Sequence, residues 1–124
     1  MTAIAHPTPA QAVCGEGEER AARFLVKHGL DLLARNYRTR LGEIDLIARD
    51  GATLVFVEVR LRKDARFGGA VESITARKRQ RIAAAAHQYL MRLQRVPACR
   101  FDVVCIEGGE PRWIRGAFTL DAGG

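Results

Sequence analysis

Cysteine is scarce and unpatterned. Cys14, Cys99 and Cys105 make no CxxC pair and have no histidine at metal-ligand spacing. That argues against both a structural zinc site and a disulfide framework. Cys99 and Cys105 flank or occupy an expected strand, where they read as small buried hydrophobes. His6, His28 and His87 form no constellation of their own. No apolar run approaches the roughly 18 residues needed to cross a bilayer. No internal repeat is present, and low-complexity sequence is confined to the tails. The opening MTAIAHPTPAQAV has neither a basic start nor a continuous apolar stretch. It reads as a loose arm over residues 1–14, not as a signal peptide. The expectation is a soluble cytoplasmic protein with no membrane contact.

What is present suits one folded unit. At 124 residues, 48% hydrophobic and 27% charged, the chain is long enough to bury a core and too apolar for disorder. We expect a single domain over residues 15–119 and a tail over 120–124. The net charge of +6 is unevenly spread. Between Arg60 and Arg81 lie Arg60, Arg62, Lys63, Arg66, Arg77, Lys78, Arg79 and Arg81 against only Asp64 and Glu72, so this segment carries the whole net charge. Such a concentration suits a polyanionic partner as well as a solvated basic surface.

Periodicity and turn signals divide the chain into seven elements. Gly15–His28 reads as a helix with Ala21, Ala22, Leu25 and Val26 inward and Gly29 as its stop. Asp31–Tyr37 reads as a strand, and Gly42–Arg49 with Thr53–Arg60 as a hairpin about Asp50-Gly51. Leu61–Glu72 reads as a loop. A helix capped by Ser73 or Thr75 runs to about Arg92, with Ile82, Ala85, Ala86, Tyr89, Leu90 and Leu93 as its apolar stripe. Arg100–Ile106 and Arg112–Ile114 are the last strands, and Phe118 packs back on the body. The fold class is α/β: a central mixed sheet with one helix on each side, in the order α-β-β-β-α-β-β.

The hairpin carries the chemistry. With Asp50-Gly51 as a two-residue loop, Ile47 faces Leu54, Asp45 faces Phe56 and Glu43 faces Glu58. Ile44, Leu46, Ala48, Val55, Val57 and Val59 then form one face. The other is apolar near the turn and acidic at its far end, through Glu43, Asp45 and Glu58. Like charges opposed on a sheet repel, and a divalent cation would offset that. Four cations (Arg77, Lys78, Arg79, Arg81) crowd the start of the second helix, where the dipole favours an anion such as phosphate.

Asp45, then Glu58, one residue and Arg60 nearly match the signature of PD-(D/E)XK nucleases, which place Asp, then Asp or Glu, any residue and Lys on adjacent strands. With GEIDLI, FVEVR, Glu18, Phe67-Gly68, Lys78 to Gln80 and RFDVV, the chain resembles the YraN family of nuclease-like proteins, itself similar to Holliday-junction resolvases. The resemblance spans about Glu18 to Phe118. It implies a restriction-endonuclease-like core and Mg²⁺- or Mn²⁺-dependent phosphodiester hydrolysis on DNA, of branched or non-standard duplexes. By analogy it also implies a homodimer. Asp45, Glu58 and Arg60 would be catalytic, and Glu18, Asp45, Glu58 and the Val59 carbonyl would be metal ligands. Glu43, Lys78 and Gln80 would be accessory, and Arg62, Lys63, Arg66, Arg77, Lys78, Arg79 and Arg81 would grip nucleic acid. Arg60 departs from the pattern's Lys: it keeps the charge but cannot lose its proton.

Each residue also has a plainer reading. Asp45 and Glu58 fit a salt-bridged surface pair, and Glu43 fits a partner for Arg60 or Arg40. Glu18 fits an exposed helix position, and Lys78 and Gln80 ordinary surface. The whole chain fits a nucleic-acid-binding module without hydrolysis, and third a module for an acidic protein partner.

Overall fold

A computed structural model of the chain describes residues 9–61, 74–107 and 109–119. The element order is α1 (Pro9–Lys27), β1 (Asp31–Arg38), β2 (Glu43–Asp50), β3 (Thr53–Leu61), α2 (Ala76–Leu90), β4 (Cys99–Ile106) and β5 (Arg112–Phe118). The strands form one sheet in the order β1-β2-β3-β4-β5. All neighbours are antiparallel except β3 and β4, which α2 joins by a crossover and which run parallel. The α/β order expected from the sequence is the one found. Among the described residues no helix is long and apolar enough to cross a membrane.

Two cores lie on opposite faces of the sheet. One joins Ile82, Ala85 and Ala86 of α2 to Ile47, Leu54, Phe56, Phe101 and Phe118. The other joins Ala21, Ala22 and Leu25 of α1 to Leu46, Ala48, Val55, Val57 and Val104. Alternating strand residues from Leu46 onward thus feed two layers, which is why the hairpin is apolar on both sides. Phe101 stacks on Phe56 and Phe118 at centroid distances of 5.2 and 5.0 Å, fixing β5 as a full edge strand. β5 therefore runs four residues beyond the expected end.

The helix ends follow their caps. α1 stops in a Schellman arrangement: Leu30 N–H donates to Leu25 O at 3.1 Å and Gly29 N–H to Val26 O at 3.0 Å, with Gly29 at φ 96°. It begins at Pro9, six residues before the expected Gly15, so residues 9–14 are helix and not arm. Proline suits a first helical turn because its missing N–H has no partner there anyway, whereas Gly15 and Gly17 read as a boundary. Of the two candidate caps for α2, Thr75 serves, its hydroxyl accepting from Lys78 N–H at 3.1 Å. Ser73 lies outside the described residues.

Three packing expectations change. Val26 is exposed, Leu93 lies beyond the end of α2 and is exposed, and Cys99 is exposed at the start of β4. Buried Asp102 accepts from Arg100 Nε, Trp113 Nε1 and Gly116 N–H at 2.9 Å each, so one carboxylate ties β4 to β5.

The hairpin register shifts by two. Asp50 pairs with Thr53, Ile47 with Phe56 and Leu46 with Val57. The turn residues are Gly51 and Ala52, with Gly51 at φ 61° in the place that a type II′ loop gives to glycine. A shift of two preserves faces but changes every partner.

Candidate functional site

β2 and β3 pair regularly up to Leu46 and Val57. Carrying that register one pair further sets Asp45 opposite Glu58, directly and not on the expected diagonal. Beyond that point the ladder is interrupted, because Asp45 Oδ2, not a backbone carbonyl, accepts the Val59 N–H at 2.8 Å. The strands are distorted here in a second way. Ile44 shares the α2-side core with Ile47 while Leu46 faces α1, so alternation breaks between Ile44 and Leu46. Ile44 was expected on the Leu46 face. Across the strand pair stands Asn36, the residue with φ 50°. Asp45 sits at this break, between Ile44 and Leu46.

The bend opens a cleft of about 460 Å³ lined by Glu18, Asn36, Arg38, Glu43, Asp45, Glu58, Val59, Arg60, Leu61 and Lys78. Asp45 and Glu58 both line it, near enough for each to shift the titration of the other. Neither is a surface pair: Glu58 is buried and Asp45 half-buried. Burial, then the Asp45 charge, pushes the Glu58 carboxyl up to about 7, against the lowering pull of Lys78 and Arg60. Burial also raises Asp45, with a contribution from Glu43, against the Val59 N–H, Lys78 and the bond from Glu58. Glu18 is raised by burial and by Asp45. Three carboxyls thus resist ionising together, which is the signature of a site short of positive charge.

Lys78 answers part of that shortage. Its Nζ stands 3.0 Å from Glu58 Oε1, while Arg60 NH1 is 3.9 Å from the same oxygen. The difference between 3.0 and 3.9 Å separates a hydrogen-bonded ion pair from a looser one. Lys78 is held over the acids because α2 lies against the β1–β2 connection at Gly42. There Thr39 closes the turn by accepting from Leu41 and Gly42 N–H at 3.1 Å. A β-carbon on Gly42 would lie 1.9 Å from the Arg81 carbonyl oxygen, so only glycine admits the helix this closely.

The other expected residues divide. Glu43 is exposed and pairs with Arg38 at 3.4 Å, not with Arg60 or Arg40, and it does not oppose Glu58. Gln80 and Arg79 line a different groove, of about 820 Å³, between α2 and β5, where Arg79 Cζ lies 5.5 Å from the Phe118 ring. Arg77 and Arg81 are exposed on α2. Arg62, Lys63, Arg66 and the Phe67-Gly68 pair lie outside the described residues. Asn36 and Arg38 join the cleft without having been expected. Arg38 follows from strand pairing with Glu43, and the signal available for Asn36 is the tolerance of asparagine for a left-handed backbone.

A family model described as "Uncharacterised protein family UPF0102" matches residues 17–106. The chain belongs to the UPF0102 family. It is 52% identical over 122 residues to a UPF0102 protein of Ralstonia pickettii, covering 94% of this chain and 98% of that one. A UPF0102 protein of Herminiimonas arsenicoxydans is 48% identical over 117 residues, with 94% of each chain covered. One from Nitrosospira multiformis is 51% identical over 109 residues, covering 86% and 92%. The UPF0102 match takes in α1 from Gly17, the whole hairpin, α2 and β4, and therefore every residue named in the cleft.

Whether the UPF0102 cleft suits a cation is a question of donor chemistry. Among the described residues no three His, Cys, Asp or Glu side chains stand close enough to share a metal ion. Asp45 and Glu58 do converge, they offer hard oxygen ligands of the type that Mg²⁺ and Mn²⁺ prefer, and a lysine ammonium already occupies the cation's place beside them. Glu18 faces the same space across the α1 side. The donor set fits a hard divalent ion held by two carboxylates.

Proposed function

We propose that this UPF0102 protein is a metal-dependent, endonuclease-like protein that acts on DNA, including branched or other non-standard duplexes, by hydrolysing a phosphodiester. The observation that carries this reading is the convergence of Asp45 and Glu58 in an open cleft rimmed by Arg38, Arg60 and Lys78. Mg²⁺ or Mn²⁺, held by Asp45 and Glu58 with Glu18 at its flank, would neutralise phosphate charge, activate water and stabilise the leaving oxygen. The Val59 carbonyl remains a further candidate ligand, since its N–H is the group that fixes Asp45.

The chain's own residues do the positioning. Arg60 and Lys78 orient a phosphate by charge, which needs no proton transfer from either. Arg77 and Arg81 extend the basic rim along α2, and Arg62, Lys63 and Arg66 continue the chain from Leu61 at the cleft edge. Backbone contacts of this kind read no sequence, which suits a protein that recognises DNA by shape. A homodimer would present two such clefts to a junction.

One observation favours a second reading, a nucleic-acid-binding module without turnover. Position 60 is Arg where the nuclease pattern has Lys, and the lysine that is present pairs with Glu58. Incubating the protein with labelled junction, flap and linear DNA, in Mn²⁺ or in EDTA, separates the two. Metal-dependent cleavage lost in Asp45→Ala supports hydrolysis. Binding alone, unchanged by Asp45→Ala, leaves the module.

A further inference from the structure

Lys78 places a positive charge beside the two cleft acids. It is fixed at its backbone and partly open to solvent along its side chain. Its N–H is bonded to the Thr75 cap at 3.1 Å, while its side chain is 41% exposed and reaches inward to Glu58 at 3.0 Å. The four-carbon stem gives the ammonium a choice of positions from one anchored turn. It belongs to a helix start that carries Arg77, Lys78 and Arg79 and no acid in its first turn. The dipole there disfavours cations. Glu58 is therefore what draws Lys78 inward.

We infer that Lys78 is an exchangeable counter-ion: it caps the Asp45–Glu58 pair until a divalent cation displaces it, and the displaced ammonium becomes a phosphate contact at the cleft rim. This rests on the metal reading above. A divalent ion between the two carboxylates would satisfy Glu58 and repel the ammonium, which then has only the rim to occupy. Arg60 and Arg38 already line that rim. A phosphate drawn to it would in turn pull Lys78 off Glu58 and leave the acids open to metal. Linkage makes the two effects equal in free energy. The device lets the cleft stay closed to ions while no polyanion is near, and it accounts for a lysine directed at acids that the site otherwise needs free.

The test is calorimetric titration of Mn²⁺ into wild type, Lys78→Gln, Lys78→Met and Lys78→Arg at a series of pH values from about 7 to 8.5, with the protons released on binding counted in two buffers. The neutral variants lose the lowering pull of Lys78 on Glu58, so affinities are compared after proton competition is subtracted. A circular dichroism melt checks the fold of each. Removal of the competing charge should tighten Mn²⁺ binding by about tenfold in both neutral variants, an ordinary coupling between two sites. Lys78→Arg should stay near wild type. A second readout uses a phosphorothioate duplex, which resists hydrolysis. With Mn²⁺ the slope of log affinity against log salt should be steeper in wild type than in K78Q by about 0.9, one phosphate contact. Without Mn²⁺ the difference between the two slopes should be smaller, because Glu58 then competes with the phosphate for the ammonium. Equal or weaker Mn²⁺ binding by the neutral variants overturns the exchange while leaving the metal site intact. No Mn²⁺ binding by any of the four removes the site, and the proposed function with it.

Discussion

Gly42 and Arg81 are in backbone contact: a β-carbon on Gly42 would stand 1.9 Å from the Arg81 carbonyl oxygen and 2.5 Å from its carbon. The neighbour is backbone inside a helix, so it cannot swing away. Gly42→Ala should therefore move α2 from the sheet. Overpacking of this kind costs about 1–3 kcal/mol, which for a domain of this size lowers Tm by roughly 5–15 °C. Because α2 carries Lys78, the same variant should also loosen the Lys78–Glu58 pair. Thermal denaturation checks the first effect and Mn²⁺ titration the second. An unchanged Tm would mean that this packing does not set the helix position.

Glu58 makes stability depend on pH. Its carboxyl rises from 4.5 to about 7 on folding, mainly through burial and then through Asp45. The folded state thus holds this proton more tightly than the unfolded state does. Its contribution is fully present below about pH 4.5 and is lost as pH rises through about 7. Urea unfolding should give a stability that falls across that window in wild type, and a flatter profile in Glu58→Gln. Saturating Mg²⁺ should flatten the wild-type profile as well, since an ion offsets the cost of ionising the pair. A profile that rises across the window would refute the assignment.

Asp102 is a support for the sheet and not part of the cleft. It is wholly buried and accepts from Arg100, Trp113 and Gly116. Asp102→Ala would leave two N–H donors without their acceptor and Arg100 with Asp50 as its remaining partner. Breaking a buried pair of this kind costs about 3–5 kcal/mol. Urea denaturation should show a loss of that size, while Mn²⁺ affinity of the folded fraction stays near wild type.

Arg60 tests whether charge alone is enough at its position. It is partly buried, 3.9 Å from Glu58 Oε1. Arg60→Lys should keep DNA binding close to wild type. Arg60→Ala should weaken it on junction and linear DNA alike, and reduce the salt slope by about 0.9. Fluorescence anisotropy over a range of salt measures both. A loss confined to one DNA sequence would contradict a backbone contact.

Much of this was legible in the residues because two faces of one hairpin had to be covered. The runs Ile44–Ala48 and Leu54–Val59 demanded a helix on each side, and both helices are there. Asp45 and Glu58 were readable as partners for the same reason, since acids on a covered face must meet something. The register was not readable. Asp50-Gly51 has the composition of a hairpin loop, but Asp50 is held in the ladder opposite Thr53 and its carboxylate pairs with Arg100 at 3.2 Å. Gly51 takes the first loop position, where a type II′ turn needs glycine, and so leaves Asp50 in the ladder. Glu43 was misplaced in consequence, and its partner proved to be Arg38. Lys78 and Gln80 looked alike on paper, two residues apart on one helix. Only the close approach at Gly42 settles which of them overlooks the acids. Asn36 was passed over because it lies inside an expected strand, although asparagine is among the few non-glycine residues that tolerate the left-handed backbone it adopts there.

If Asp45 and Glu58 together hold a divalent cation, calorimetric titration of Mn²⁺ will distinguish wild type from Glu58→Ala. Saturable binding by the wild type should disappear in Glu58→Ala while the variant remains folded. Equal binding by both proteins, or none by the wild type, would contradict it.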